Sequence, residues 1–354
     1  MDYFISERQF DKNAKLSAGG KARDDISRIL SHMGMKAIRL SDFERGPKSL
    51  AAKLAEHIRI AGMWHRAFAH VKRGDVLYVQ FPPILHTVFY VGCISSLQKK
   101  GVKVILIIHD LEILRWKKRK DATVAKRLRF DIEEKSVLFR ADGIIAHNEM
   151  MKGLLANLGI DGRKIRSLRI FDYLIPPFRG KTARHGARYG GPVLIAGSLA
   201  RHKAGYAYSL PGEPDFALFG TNYDGKEQDN IRYMGAVSPD ELPYLLDGSF
   251  GLVWDGDSCE TCSGVYGEYL AYNNPHKASL YLASGIPIII WDGAALAQFV
   301  RKENCGITVS SLTEIGPALA CMSEPEYAAL RENAARIGRK LRRGTMTESC
   351  IRSS

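Results

Sequence analysis

The side chains best suited to chemistry gather in one stretch, Trp254-Asp255-Gly256-Asp257-Ser258-Cys259-Glu260, which continues to Asn273-Asn274-Pro275-His276-Lys277. Lys277 follows Asn-Asn-Pro at the start of an apolar helix, so its ammonium and the helix N-terminus would together neutralise a diphosphate leaving group. Asp255 and Asp257 form a D-x-D, a spacing that can ligate a divalent cation bridging phosphates. A turn or a contact to sugar hydroxyls is the better reading here, and no metal is expected. Glu260 and Glu268 are also acidic neighbours along the chain, but carboxylates at such spacings are common by chance. A second candidate is His109-Asp110 at the end of a buried strand, where a carboxylate or imidazole could deprotonate a hydroxyl. A hydrogen-bonded core histidine is the competing reading of His109.

Further loops could serve the same chemistry. In Gly197-Ser198-Leu199-Ala200-Arg201-His202-Lys203 three basic side chains follow a strand and could grip a pyrophosphate, Arg201 through a forked contact. A solvated basic turn is the alternative. Phe219-Gly220-Thr221-Asn222-Tyr223 closes the next strand and offers a backbone edge and a ring to a nucleoside. Leu16-Ser17-Ala18-Gly19-Gly20-Lys21 precedes a helix expected over residues 22–33, where backbone amides could approach a phosphate or sugar. It is neither GxGxxG nor GxxxxGK[ST], and a plain turn explains it as well.

From Arg115 to Arg129 there are eight Lys or Arg and one acid. Trp116, Lys117, Lys118, Arg119 and Lys120 open a stretch that suits an interfacial basic helix on anionic lipid, with a solvated helix as the competing reading. Nucleic-acid binding is disfavoured, because no RRM, KH, zinc-finger or helix-turn-helix pattern accompanies the charge.

Strands must position these residues. Residues 75–81 form a β-rich run closed by Pro82-Pro83; a helix follows to Lys99-Lys100-Gly101, and residues 103–108 are nearly continuous aliphatic. That is a βαβ unit with a strand buried on both faces. Residues 143–146 lead through His147 into a helix ending at Leu158. The Pro, Gly and basic stretch 179–192 reads as a linker. Strands are expected again at 193–196, 216–219, 231–234, 251–254 and 286–291, with helices over 239–246 and 276–284 and one long basic helix over 324–343. The expected fold class is α/β, with two doubly wound Rossmann-like domains, 1–178 and 193–330, and a basic tail 331–354. Ligands would lie beyond the C-terminal strand ends and in the cleft between domains.

At 354 residues the chain is too long for one ordinary core. A net charge of +13 calls for a polyanionic partner, whether nucleic acid, anionic lipid or a phosphate-bearing substrate. The N-terminal residues lack a secretory pattern, and no apolar run reaches the about 20 residues that cross a bilayer, so a cytoplasmic location is expected. Six scattered cysteines read as thiols, and Cys259 with Cys262 lacks the partners of a zinc site.

At these residues the chain resembles the bacterial β-1,6-galactofuranosyltransferases of O-antigen synthesis. The resemblance runs through residues 254–264 and 273–282, Phe171-Asp172-Tyr173-Leu174, Ser198-Leu199 with Arg201-His202-Lys203, Phe219-Gly220 with Asn222-Tyr223, Ile107 with His109-Asp110, and Trp291-Asp292 with Ala294-Ala295-Leu296. More distantly the chain is similar to the glucosyltransferases that extend glycans on streptococcal serine-rich adhesins.

The resemblance implies a GT-B fold, a UDP-hexose donor held by the C-terminal domain, a lipid-linked glycan acceptor held by the N-terminal domain, and no metal or other cofactor. Under it Arg201 and Lys277 neutralise the diphosphate, Asn222 and Tyr223 lie near the nucleoside, and Gly19 and Gly20 admit the donor from the opposite wall. Ser198, His202, Asp257, Ser258, Glu260, Asn274 and His276 complete the expected donor contacts. An α-linked donor giving a β-linkage means inversion with one base, Asp110 first and His109 second. Cys259 and the basic insert around residues 117–120 depart from the family's pattern and leave the acceptor open. The donor sugar stays open among galactofuranose, glucose and galactopyranose, as does a homo-oligomer. A non-catalytic partner that only binds glycolipid or polyanion is the reading from another class.

Overall fold

The structure, a computed structural model, describes residues 1–8, 20–41, 49–115, 131–177, 186–226 and 228–353. These group into two compact units, one drawn from 1–14, 23–168 and 348–354, the other from 15–22 and 169–347.

Among the described residues the first unit holds β1 (Asp2–Arg8), β2 (Lys36–Ser41), β3 (Val76–Phe81), β4 (Lys103–Ile108), β5 (Gly143–Ala146) and β6 (Ile165–Ser167). They form one sheet in the order β2-β1-β3-β4-β5-β6, every pair parallel. Strands buried on both faces need apolar side chains throughout, and Leu77, Val79, Val104, Leu106 and Ile144 are at most 1% exposed. Helices α1 (Lys21–His32), α2 (Leu50–Ala67) and α3 (Tyr90–Lys99) occupy connections between the early strands.

The second unit repeats the scheme. β7 (Gly186–Ala187), β8 (Val193–Ser198), β9 (Phe216–Thr221), β10 (Ile231–Tyr233), β11 (Asp247–Gly248), β12 (Phe250–Val253), β13 (Ile288–Trp291) and β14 (Gly306–Val309) follow in sequence. Six of them form a parallel sheet in the order β10-β9-β8-β12-β13-β14, while β7 pairs with β11 beside it. The order reverses between β8 and β12. In open α/β sheets that switch point leaves a crevice beyond the strands' C-terminal ends. The helix His276–Ala283 is tied to β8 by Tyr281, whose hydroxyl accepts from Ala196 N at 2.7 Å and donates to Leu194 O at 3.1 Å. Gly251 on β12 lies under the Tyr281 ring, where any Cβ would collide.

Several expectations change. Residues 239–246 are not a helix: Pro243 limits them to the single turn Leu242–Tyr244, and Asp247 then enters β11. The stretch read as linker contributes β7 to a strand pair, while residues 178–185 lie outside the described residues. The long C-terminal helix ends at Leu341, and a separate helix runs Thr345–Arg352. Strands β6 and β14 are too short and mixed to show as runs.

The backbone of one irregular segment of the second unit, residues 169–174, accepts hydrogen bonds from several side chains. Asn274 Nδ2 donates to Arg169 O at 3.1 Å, Ser279 Oγ to Phe171 O at 2.8 Å and Lys21 Nζ to Leu174 O at 2.6 Å. The Asp172 carboxylate, in a residue 2% exposed, accepts from Met346 N at 3.1 Å and Thr347 N at 2.7 Å, capping the first turn of the 345–352 helix. Replacing it strands two amide donors. Asp172→Ala should lower the unfolding free energy by about 2 kcal/mol; an unchanged denaturant midpoint would remove this cap from the account.

Candidate active site

Two loops meet at the switch point of the second sheet. After β12, Gly256 takes a φ of +113, where a side chain would be strained, and donates its N–H to Lys203 O at 2.8 Å. Its carbonyl accepts from Tyr206 N at 3.3 Å, so the loops after β8 and β12 are stitched together. The Trp254 indole, fully buried, closes the second loop by donating to Ser258 O at 2.9 Å.

Lys277 is the second residue of the 276–283 helix. Its ammonium donates to Trp254 O at 2.8 Å and to Asp255 Oδ1 at 2.8 Å, with the two side chains 14% and 11% exposed. A cation thus stands beside a helix N-terminus at the C-terminal end of β12, and both features favour an anion. Asp255 spends its charge on Lys277, and Asp257 accepts from the Ser263 hydroxyl, so the two carboxylates of the D-x-D face different partners.

Arg201 lies past the end of β8, next to β12 in the sheet. Its guanidinium caps the Tyr208 ring at 3.9 Å and pairs with Asp224 at 3.2 Å. Hydrogen bonds from Tyr208 and Arg201 hold the Asp224 carboxyl below its ordinary range. The pair is exposed and therefore weak, so an incoming phosphate can displace the carboxylate. Tyr223 stacks on Tyr208 at 5.2 Å and leans on Tyr233 at 5.0 Å; Asn222, at φ +66, reaches Ser198 Oγ at 3.4 Å. His202 lies 5.9 Å from the Tyr266 ring. Glu260 and Ser258 belong to the β12 loop, where Ser258 Oγ accepts from Glu260 N and Ser311 Oγ reaches Glu260 Oε2 at 3.4 Å.

Asn274 and His276 sit in the backbone clasp of residues 169–174. His276 stacks on Tyr173 at 4.9 Å with Nε2 3.3 Å from Asp172 O. Burial pulls its pKa down to about 4, so at neutral pH it brings no charge to a phosphate.

In the first unit the structure brings His109 and Asp110 to the end of β4. His109 Nε2 is 2.7 Å from Gln80 Oε1. Gln80 spends its amide N–H groups on Arg23 O and Ser27 Oγ, at 3.2 and 2.9 Å, so its oxygen receives a proton from His109 Nε2. Neutral His109 therefore keeps its basic lone pair on Nδ1. Asp110 pairs with Arg115 at 2.7 Å and is 43% exposed at the side chain. Gly20 begins the turn into α1; Gly19, Trp116, Lys117, Lys118, Arg119 and Lys120 lie outside the described residues.

Models of the glucosyltransferase 3-like N-terminal and C-terminal domains match residues 2–170 and 193–354. The β-1,6-galactofuranosyltransferase WbbI of Escherichia coli K12 is 31% identical over 353 residues, covering 97% of this chain and 95% of that protein. The chain belongs to the glucosyltransferase 3-like family. It is a glycosyltransferase. Sucrose-phosphate synthase of Thermosynechococcus elongatus superposes with a TM-score of 0.62 at 15% identity, covering 99% of this chain and 98% of that one. Anabaena HepE in complex with UDP-glucose gives 0.55 at 10% identity, over 99% and 98%. At such identities the likeness is one of fold, and the fold is GT-B.

Sequence reasoning on this glycosyltransferase passed over Gln80, Arg23, Tyr208, Asp224 and the bond of Lys21 to Asp240 at 3.0 Å. Gln80 inside an aliphatic strand was the one visible signal, since a buried amide demands partners.

His147 and His276 share a depressed pKa of about 4 against an ordinary 6.5, both through burial. Above pH 6.5 neither folded nor unfolded chain holds these protons; between 6.5 and 4 only the unfolded chain takes them up, and stability falls. Denaturant midpoints measured down this window should drop, less steeply in His276→Gln. A flat profile would mean the imidazoles are open to water.

Proposed function

We propose that this glycosyltransferase moves galactofuranose from UDP-galactofuranose to a lipid-linked glycan, with inversion and without a metal, in cell-surface polysaccharide synthesis. The near full-length match to WbbI, which its name describes as a β-1,6-galactofuranosyltransferase, carries the donor reading. A nucleotide donor is also supported by the UDP-glucose held in the HepE structure and by the cations at the second unit's switch point. Glucose or galactopyranose is the second reading, favoured by the glucosyltransferase description of both domain models.

The second unit holds the donor. As the sugar–phosphate bond breaks, charge gathers on the diphosphate, and Lys277 with the start of its helix stabilises it. Arg201 leaves Asp224 for the phosphate oxygens. The first unit holds the acceptor, whose hydroxyl gives its proton to Asp110 as its oxygen attacks the anomeric carbon from the face opposite UDP. His109, fixed in one tautomer by Gln80, stands next to it as the second candidate base. Asp255 and Asp257 are engaged by Lys277 and Ser263, which supports a metal-independent reaction. No helix among the described residues is long and apolar enough to cross a membrane, and a peripheral seat at the cytoplasmic membrane face suits a lipid-linked acceptor.

A panel of UDP-galactofuranose, UDP-glucose and UDP-galactose with a lipid-linked glycan, assayed in EDTA, tests this reading. UDP-galactofuranose should turn over fastest and yield a β-linked product, with Asp110→Asn lowering kcat by about 100-fold or more. Turnover of UDP-glucose alone would establish the second reading; strict dependence on manganese would move Asp255 and Asp257 into a metal site.

A further inference from the structure

Helix α2 carries apolar side chains on two faces, and among the described residues one of them is exposed. Ile60 and Trp64 are buried, the Trp64 indole donates to Leu85 O at 2.9 Å, and its ring packs on Tyr90 at 4.9 Å and Phe68 at 5.4 Å. The opposite face is exposed among the described residues. Ala51, Leu54, Ala55 and Ile58 recur at the spacing of one helical stripe, and all four are exposed, Leu54 by 52% and Ile58 by 57%. Gly62 continues the stripe, with open space where a Cβ would stand.

The loop before α3 extends this surface. Thr87 is buried and donates its hydroxyl to His57 O at 2.9 Å, which ties to α2 the turn that carries Val88 and Phe89, each 41% exposed. Arg59 and Arg66, both exposed, lie next to the stripe at helical spacing.

We propose that this face of the first unit is a docking surface for an anionic lipid bilayer. Leu54, Ile58, Val88 and Phe89 enter the boundary between headgroups and acyl chains, while Arg59 and Arg66 meet lipid phosphates. Charge selects lipid over a second copy: self-association would bring two chains of net charge +13 together, whereas an anionic surface attracts them. The inference rests on the proposed lipid-linked acceptor only for its purpose; membrane binding itself requires no donor.

The test is co-sedimentation of the full chain with vesicles of phosphatidylcholine, with and without phosphatidylglycerol, alongside UDP-hexose hydrolysis in solution. The wild-type chain should partition onto the anionic vesicles and far less onto the neutral ones. Leu54→Ser with Ile58→Ser should weaken that partition by about tenfold or more, and Phe89→Ser should weaken it too, with thermal melts and hydrolysis unchanged. These positions are solvent-exposed, so the variants fold. Absent hydrolysis in every chain would remove the donor reading and leave the docking result standing. Wild-type binding no better to anionic vesicles, equal binding by the double variant, or a wild-type dimer that the double variant dissolves would overturn the proposal.

Discussion

The bond from Lys277 to Asp255 and Trp254 O fixes the geometry at the second unit's switch point. An ammonium this far out of water needs compensation, and it finds a carboxylate and a carbonyl, both at 2.8 Å. Those acceptors lie on the loop after β12, while the ammonium rides on the helix that Tyr281 locks to β8. The ion pair thus sets a helix N-terminus against the point where strand order reverses, and it keeps a positive charge in place there before any ligand arrives. Arg201 is handled differently, with an exposed partner that it can exchange.

Around this pair, backbone carbonyls are used as anchors. Residues 169–174 run without regular structure, yet Asn274, His276, Ser279 and Lys21 each address a carbonyl there, and Asp172 takes two amides in return. Such a segment is ordered by its neighbours rather than by its own hydrogen-bond ladder. In the first unit Gln80 plays a comparable part, since one buried amide orders His109, Ser27 and the Arg23 carbonyl together.

The parallel sheets were legible because parallel strands are buried on both faces, and β4 and β5 begin and end where their aliphatic runs do. β6 and β14 escaped because Arg166, Ser167 and Thr308 interrupt apolar runs that are already short. The 239–246 stretch is expected as a helix, but Pro243 and the pairing of Asp247 with Gly186 decide otherwise. Lys277, Arg201 and Asp110 stand out in the sequence by their charge. Asn274 and His276 enter as donor contacts through the resemblance alone. Their bonds to backbone carbonyls leave no mark in a sequence, because every residue offers a carbonyl. Asp224 and Tyr208 were missed likewise, since their pairing with Arg201 depends on how two loops fold back.

The central claim is that the second unit's switch point holds a nucleotide diphosphate against Lys277. Calorimetric titration of UDP into the wild-type chain and into Lys277→Ala, each shown to be folded, addresses it most directly. The account predicts saturable binding to the wild type and an affinity lower by about tenfold or more in the variant. Equal affinities in two folded chains would contradict it.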